Sequence, residues 1–120
     1  LAKTYADFVR DARTRVREVP ADEARRLHDA GETVFLDVRE GEETVRGVVA
    51  GAVCVPRGIL EGHVGDWIPS PATPVVVYCA SGARSALAAD VLQQMGYASV
   101  VNLAGGFRAW VGGGHPVAPR

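Results

Sequence analysis

The run Pro74-Val75-Val76-Val77-Tyr78 leads straight into Cys79-Ala80-Ser81-Gly82-Ala83-Arg84-Ser85 and then into a helical pattern. No other stretch constrains the fold as much. A short valine-rich run bounded by turn residues has no polar face to offer water, so it predicts a buried strand of a parallel sheet. From Arg84 onward, apolar residues at 87, 88, 91, 92 and 95 form the stripe of a helix with one buried face. Gly96 stands where a C-terminal cap belongs. A thiol is therefore expected at the carboxyl end of a strand, facing a helix start across a loop that contains Gly82. That edge of an α/β sheet is where ligands bind.

The physics of the position favours a thiolate. The first turn of a helix leaves backbone N–H groups unpaired and carries the positive end of the dipole. Small residues at Ala80, Ser81, Gly82 and Ala83 let the loop curl so that several N–H groups point inward, making an anion cradle. Arg84 adds a fixed charge with planar donors suited to oxyanions. Each of these favours the nucleophilic thiolate over the thiol. A buried, inert cysteine is the alternative, and the combination of Gly82, Arg84 and a helix start weighs against it.

Other segments supply a complete α/β domain. Val34-Phe35-Leu36-Asp37-Val38 reads as a second buried strand, Ala52-Val53-Cys54-Val55-Pro56 as a third, Val16 to Val19 as a short one and Ser99 to Leu103 as the last. Residues 4 to 14 predict a helix with Tyr5, Phe8, Val9 and Ala12 as its apolar stripe. Arg10, Arg13 and Arg17 share a face that reads either as a partner-binding patch or, with Asp11 and Glu18 interleaved, as a solvated face, and the interleaving favours the second. A helix through Asp22 to Leu27 closes at Gly31. Residues 58 to 68 predict helical turns with Trp67 packed inward, and Phe107 to Val111 a short helix that places Trp110 in the core. His28, His63 and His115 lie far apart and show no metal-ligand spacing.

The chain has 120 residues, enough to bury a core as a single domain without staples. A hydrophobic content of 48% and a charged content of 22% are those of an ordinary globular protein. The net charge of −1 gives no electrostatic case for nucleic acid or an anionic membrane. No apolar run reaches membrane-spanning length and no signal peptide is visible, so a cytoplasmic location is the default expectation.

In its motifs the chain resembles the single-domain rhodaneses, a family of sulfurtransferases. The resemblance rests on the loop Cys79 to Ser85, on Leu36-Asp37-Val38-Arg39, on Gly47 through Ala52, and on Gly105-Gly106-Phe107-Arg108-Ala109-Trp110 running on to Gly114-His115-Pro116-Val117. These occur in the family's order and spacing and cover roughly residues 15 to 118. The resemblance implies five mainly parallel strands with helices on both faces, residues 15–120 forming the domain and residues 1–14 a helical extension. It implies a persulfide on Cys79, taken from thiosulfate or another persulfide donor and passed to cyanide or a thiol, with a protein as a further kind of donor or acceptor. It implies no metal and no organic cofactor. Asp37 and Arg39 would lie beside the loop and help hold it, a supporting part rather than a chemical one.

Four residues separate Cys79 from Arg84. Cysteine phosphatases use five, a wider loop that fits a tetrahedral phosphate, so the tighter loop here favours one added sulfur over a phosphatase or arsenate reductase. A non-catalytic sulfur-carrier or interaction module is the other alternative, and an intact Cys79 argues against a purely structural one. Val48 replaces the family's histidine, Ala50 a proline and Thr44 an aromatic residue. These changes bear on surface contacts near the site and remove no group that sulfur transfer requires. With only Arg84 positive in the loop, a modest affinity for dianionic thiosulfate is expected. In the family's strand order Cys54 lies on an edge strand two away from that of Cys79, roughly 9 to 10 Å or more, beyond the reach of a disulfide, so Cys54 is expected to be a small buried hydrophobe.

Overall fold

The computed structural model describes all 120 residues. Five parallel strands form the main sheet: β1 (Arg17–Val19), β2 (Val34–Asp37), β4 (Val53–Cys54), β5 (Val75–Tyr78) and β6 (Val100–Leu103). Their order across the sheet is β1-β6-β5-β2-β4, which puts the valine run of β5 in the middle. A separate antiparallel ribbon joins β3 (Val48–Val49) to β7 (Val117–Ala118). That ribbon has no counterpart in the sequence reading, because two-residue strands are too short to show a period.

Alternation along the strands sorts the core into two layers. Val75, Val77 and Cys79 point to one face with Leu36 and Val38, and there meet Leu60, Val64, Ala88, Ala89 and Leu92. These belong to α4 (Leu60–Trp67) and α5 (Ala83–Gln94). Val76 and Tyr78 point to the other face with Phe35, Leu103, Ala24 and Trp110, the last two from α2 (Ala21–Ala30) and α6 (Gly106–Gly112). Helices thus cover both faces, and Cys79 and its predecessor Tyr78 face opposite sides.

α1 (Tyr5–Arg13) packs along α5. It buries Val9 and Ala12, while Tyr5 and Phe8 are exposed, so only half of the expected stripe faces inward. The same packing revises α5. Ser85, Ala86, Ala88, Ala89, Asp90 and Leu92 are buried, Leu87 and Val91 are half-buried, and Met95 is exposed. Covered by the sheet on one side and α1 on another, this helix needs small residues more than one oily stripe. Asp90 accepts two hydrogen bonds from the Arg15 guanidinium at 2.8 and 2.9 Å. Gly31 and Gly96 follow their helices with φ of +80° and +100°, as a left-handed cap requires. Trp67 does not pack inward. It is 62% exposed, because α4 ends there and Ile68 takes the inward position instead.

Candidate functional site

Cys79 follows the last residue of β5 and is 1% exposed. Its Sγ accepts a hydrogen bond from the Gly82 N–H at 3.1 Å and one from the Ser85 hydroxyl at 3.3 Å. Burial alone pushes the thiol up. The Ser85 hydroxyl and the N–H groups of Ser85, Gly82 and Ser81 outweigh it and hold Cys79 below the ordinary thiol value. The ring of inward N–H groups expected from the small residues is present, and Gly82 makes it possible by turning at φ +110° at the N-cap of α5.

The loop is held from outside as well. The N–H of Phe107 donates to the Cys79 carbonyl at 2.8 Å, and that of Arg108 to the Ala80 carbonyl at 3.1 Å. This close approach explains Gly106. A Cβ there would lie 2.6 Å from the Cys79 carbonyl oxygen. Asn102 on β6 donates its amide to the Gly82 carbonyl at 3.0 Å and to Glu18 at 2.6 Å. Sequence reasoning missed Asn102. Its signal was a lone polar residue inside the buried run Val100-Val101-Asn102-Leu103.

Arg84 does not stand as a free cation. Its guanidinium donates to both Glu43 oxygens, at 2.7 and 2.9 Å. This pairing pulls the Glu43 carboxyl down to about 2. Glu43 belongs to α3 (Gly41–Thr44), a single helical turn that the sequence pattern did not reveal. Ala80 and Ala83 are half-buried and Ser81 is exposed, so the loop's outer surface is small and uncharged.

Asp37 and Arg39 form a buried pair, with the guanidinium at 2.8 to 3.2 Å from the carboxylate and also donating to the Gly47 carbonyl. Asp37 shares its register with Tyr78, not with Cys79, and so points to the sheet's other face. The pair reaches the loop indirectly, because the Arg39 guanidinium lies 4.2 Å from the Phe107 ring centre and the Phe107 N–H holds Cys79. Cys54 sits level with Asp37 on edge strand β4, two strands from β5. It is half-buried rather than fully so. Thr44 and Val48 are both buried, so they do not shape the surface beside the site. The Thr44 hydroxyl donates to Gly41 and accepts from Arg120. His28 is half-buried against the core, edge-on to Phe35 and bonded to the Ala50 carbonyl at 2.7 Å.

Beside the loop, Arg39, Glu42, Glu43, Arg46 and Phe107 line an open cleft of about 480 Å³. Glu42 and Arg46 are exposed.

A parallel α/β domain with a buried cysteine cradled by backbone N–H groups at the sheet's carboxyl edge is what this fold and loop define. The chain belongs to the rhodanese-like domain family, whose model matches residues 20–112. It is 36% identical over 107 residues to a protein of Allochromatium vinosum named sulfurtransferase, covering 88% of this chain and 98% of that one. Among solved structures, a Rhodopseudomonas palustris protein of unknown function, described as a possible tyrosine phosphatase, superposes with a TM-score of 0.89 at 29% identity, covering 98% and 96% of the two chains. A thiosulfate sulfurtransferase of Pseudomonas aeruginosa gives a TM-score of 0.83 at 29% identity, over 95% of this chain and 22% of that longer one. No helix is long and apolar enough to cross a membrane.

Proposed function

We propose that the protein is a sulfurtransferase that carries sulfur as a persulfide on Cys79. The observation that carries this reading is the Cys79 sulfur itself, buried at the end of β5 and accepting hydrogen bonds from the Gly82 N–H at 3.1 Å and the Ser85 hydroxyl at 3.3 Å, donors that favour its thiolate. The thiolate attacks the outer sulfur of thiosulfate, the S–S bond of the donor breaks, and sulfite leaves with the bonding pair. The persulfide anion, one atom longer, stays within reach of the same N–H groups, as in an oxyanion hole. Cyanide then takes the outer sulfur as thiocyanate and returns Cys79 as thiolate. This is covalent catalysis of the ping-pong type.

Arg84 supports the loop through Glu43 and orients an anionic donor. Asp37 and Arg39 hold Phe107 against the loop. Residues 15–120 constitute the domain and residues 1–14 a helical extension braced on α5. The four-residue spacing between Cys79 and Arg84 keeps the cradle too tight for phosphoryl transfer, which separates this reading from the phosphatase description of the Rhodopseudomonas neighbour.

Initial rates of thiocyanate formation test the reading. Parallel double-reciprocal lines on varying thiosulfate and cyanide, with no rate for Cys79→Ser, are expected. Intersecting lines, or a rate that survives the substitution, would refute it.

A further inference from the structure

The arginines that crowd residues 10 to 17 part company in the structure. Arg10 pairs with Asp7 and Arg17 with Glu23, each at 2.9 Å. Arg15 is held by Asp11 and Asp90. Arg13 alone of the four meets no carboxylate. It stands exposed at the end of α1, and its guanidinium reaches the sulfur's own loop. A Cβ built on Gly82 would lie 3.4 Å from the Arg13 Nη2. Gly82 is also the residue whose N–H donates to the Cys79 sulfur at 3.1 Å. Standard bond lengths along that path bring the guanidinium to within about 10 Å of the sulfur. At that separation a charge is still felt through ordinary salt.

The loading step has a use for such a charge. The loop's own arginine, Arg84, is gripped on both prongs by Glu43 at 2.7 and 2.9 Å, so the pair brings no net charge. When the Cys79 thiolate meets thiosulfate, one negative charge approaches two. The inward N–H groups offset that repulsion with partial charges only. Arg13 brings a full positive charge that no carboxylate neutralises. Its planar guanidinium offers several donors at once, an arrangement suited to the oxygens of an oxyanion. The matched family residues begin at 20, so α1 and its Arg13 lie outside them.

We infer that Arg13 is a specificity-determining residue of the loading step: it receives the sulfonate end of the donor and favours dianions over donors of lower charge. The inference rests on the sulfurtransferase reading and names the residue that sets the donor's charge class. The bonds made and broken are unchanged. The thiolate takes the outer sulfur, the donor S–S bond breaks, and sulfite leaves with the bonding pair and both negative charges. Coulomb energy scales with the product of the charges. Removal of Arg13 therefore weighs twice as heavily, on a logarithmic scale, on a dianion as on a monoanion.

The test compares rates of Cys79 loading, read by intact mass at limiting donor, from thiosulfate and from methanethiosulfonate. The second is a monoanion that offers the same outer sulfur and leaves as methanesulfinate. Arg13→Gln should load about four- to nine-fold more slowly from thiosulfate and about two- to three-fold more slowly from methanethiosulfonate, as an exposed charge allows. Arg13→Lys should recover most of both losses, and high salt should draw Arg13→Gln and wild type together. Equal losses for the two donors would make Arg13 a mere brace for the loop and overturn the inference, as would wild-type rates in Arg13→Gln. A second readout needs no sulfur transfer: alkylation of Cys79 by anionic iodoacetate against neutral iodoacetamide. Arg13→Gln should lower the first rate relative to the second, and an unchanged ratio would contradict the field assigned to Arg13. Failure of wild type to load from any sulfur donor would refute the sulfurtransferase reading and the donor role with it, while the alkylation ratio still reports the charge at the loop.

Discussion

Gly106→Ala probes how tightly the loop is built into the fold. At φ +60° an alanine pays for left-handed backbone, about 1–2 kcal/mol. Its Cβ would also lie 2.6 Å from the Cys79 carbonyl oxygen and 2.7 Å from the carbonyl carbon and oxygen of Ala80. Those are backbone atoms held by hydrogen bonds from Phe107 and Arg108, so they cannot swing aside as a side-chain tip would. Overpacking of this kind costs about 1–3 kcal/mol, for a total of about 2–5 kcal/mol. Gly51→Ala is the internal control. Its φ is +81°, but nothing lies within 4 Å of an added Cβ, so it bears the backbone term alone. Thermal unfolding should place Gly106→Ala about 10 °C or more below the parent, for a domain of this size, and clearly below Gly51→Ala. The folded fraction of Gly106→Ala should also load sulfur more slowly, because the clash falls on the residues that form the cradle. Equal melting temperatures for the two variants, with normal loading, would refute this account of the Gly105-Gly106 motif.

Three further outcomes follow from the same geometry. Ser85→Ala removes a donor to the Cys79 sulfur, so the pH profile of persulfide formation should shift upward, with a several-fold lower rate at neutral pH. Because the folded thiol titrates below its unfolded value, the thiolate's contribution to stability is fully present above the ordinary thiol value and is lost as pH falls through the folded one. Wild type should therefore gain on Ser85→Ala in denaturant titrations as pH is raised through that window, and an unchanged difference would contradict the donor role. Asp37→Asn leaves Arg39 charged and only 6% exposed without its partner, and should cost about 3–5 kcal/mol by urea unfolding. Arg84→Ala should lower kcat/KM for thiosulfate about tenfold or more, the loss expected for a charged hydrogen-bonded group. Arg84→Lys should recover little of it, since an ammonium cannot make the two-pronged bond to Glu43, and wild-type rates in Arg84→Ala would contradict the assigned role.

Much of this architecture was readable because β-loop-α units leave strong local marks. The valine run of β5, the small residues of the loop and the glycines at 31, 82 and 96 each report a local backbone need, and each element they predicted is there. What escaped the sequence depends on tertiary neighbours. The burial of α5 on two sides follows from α1, which turns Tyr5 and Phe8 outward and brings Ser85, Ala86 and Asp90 inside. Trp67 faces outward because α4 ends there and the chain turns Ile68 into the core instead. The same holds around Cys79. The cysteine, Gly82 and Ser85 come together as the pattern indicates, since they are local. Glu43 and Asn102 reach the loop from 41 and 20 residues away in sequence, and no spacing rule connects them to it. Asp37 was expected beside the loop, but strand alternation puts its side chain on the opposite face of the sheet from Cys79.

The most direct measurement is the intact mass of the reduced protein after thiosulfate, and again after cyanide, with Cys79→Ser alongside. The account predicts the gain of one sulfur atom by wild type, its loss to cyanide, and no gain in the variant. A wild-type mass that does not change with thiosulfate or with a persulfide donor, or a gain that Cys79→Ser retains, would contradict it.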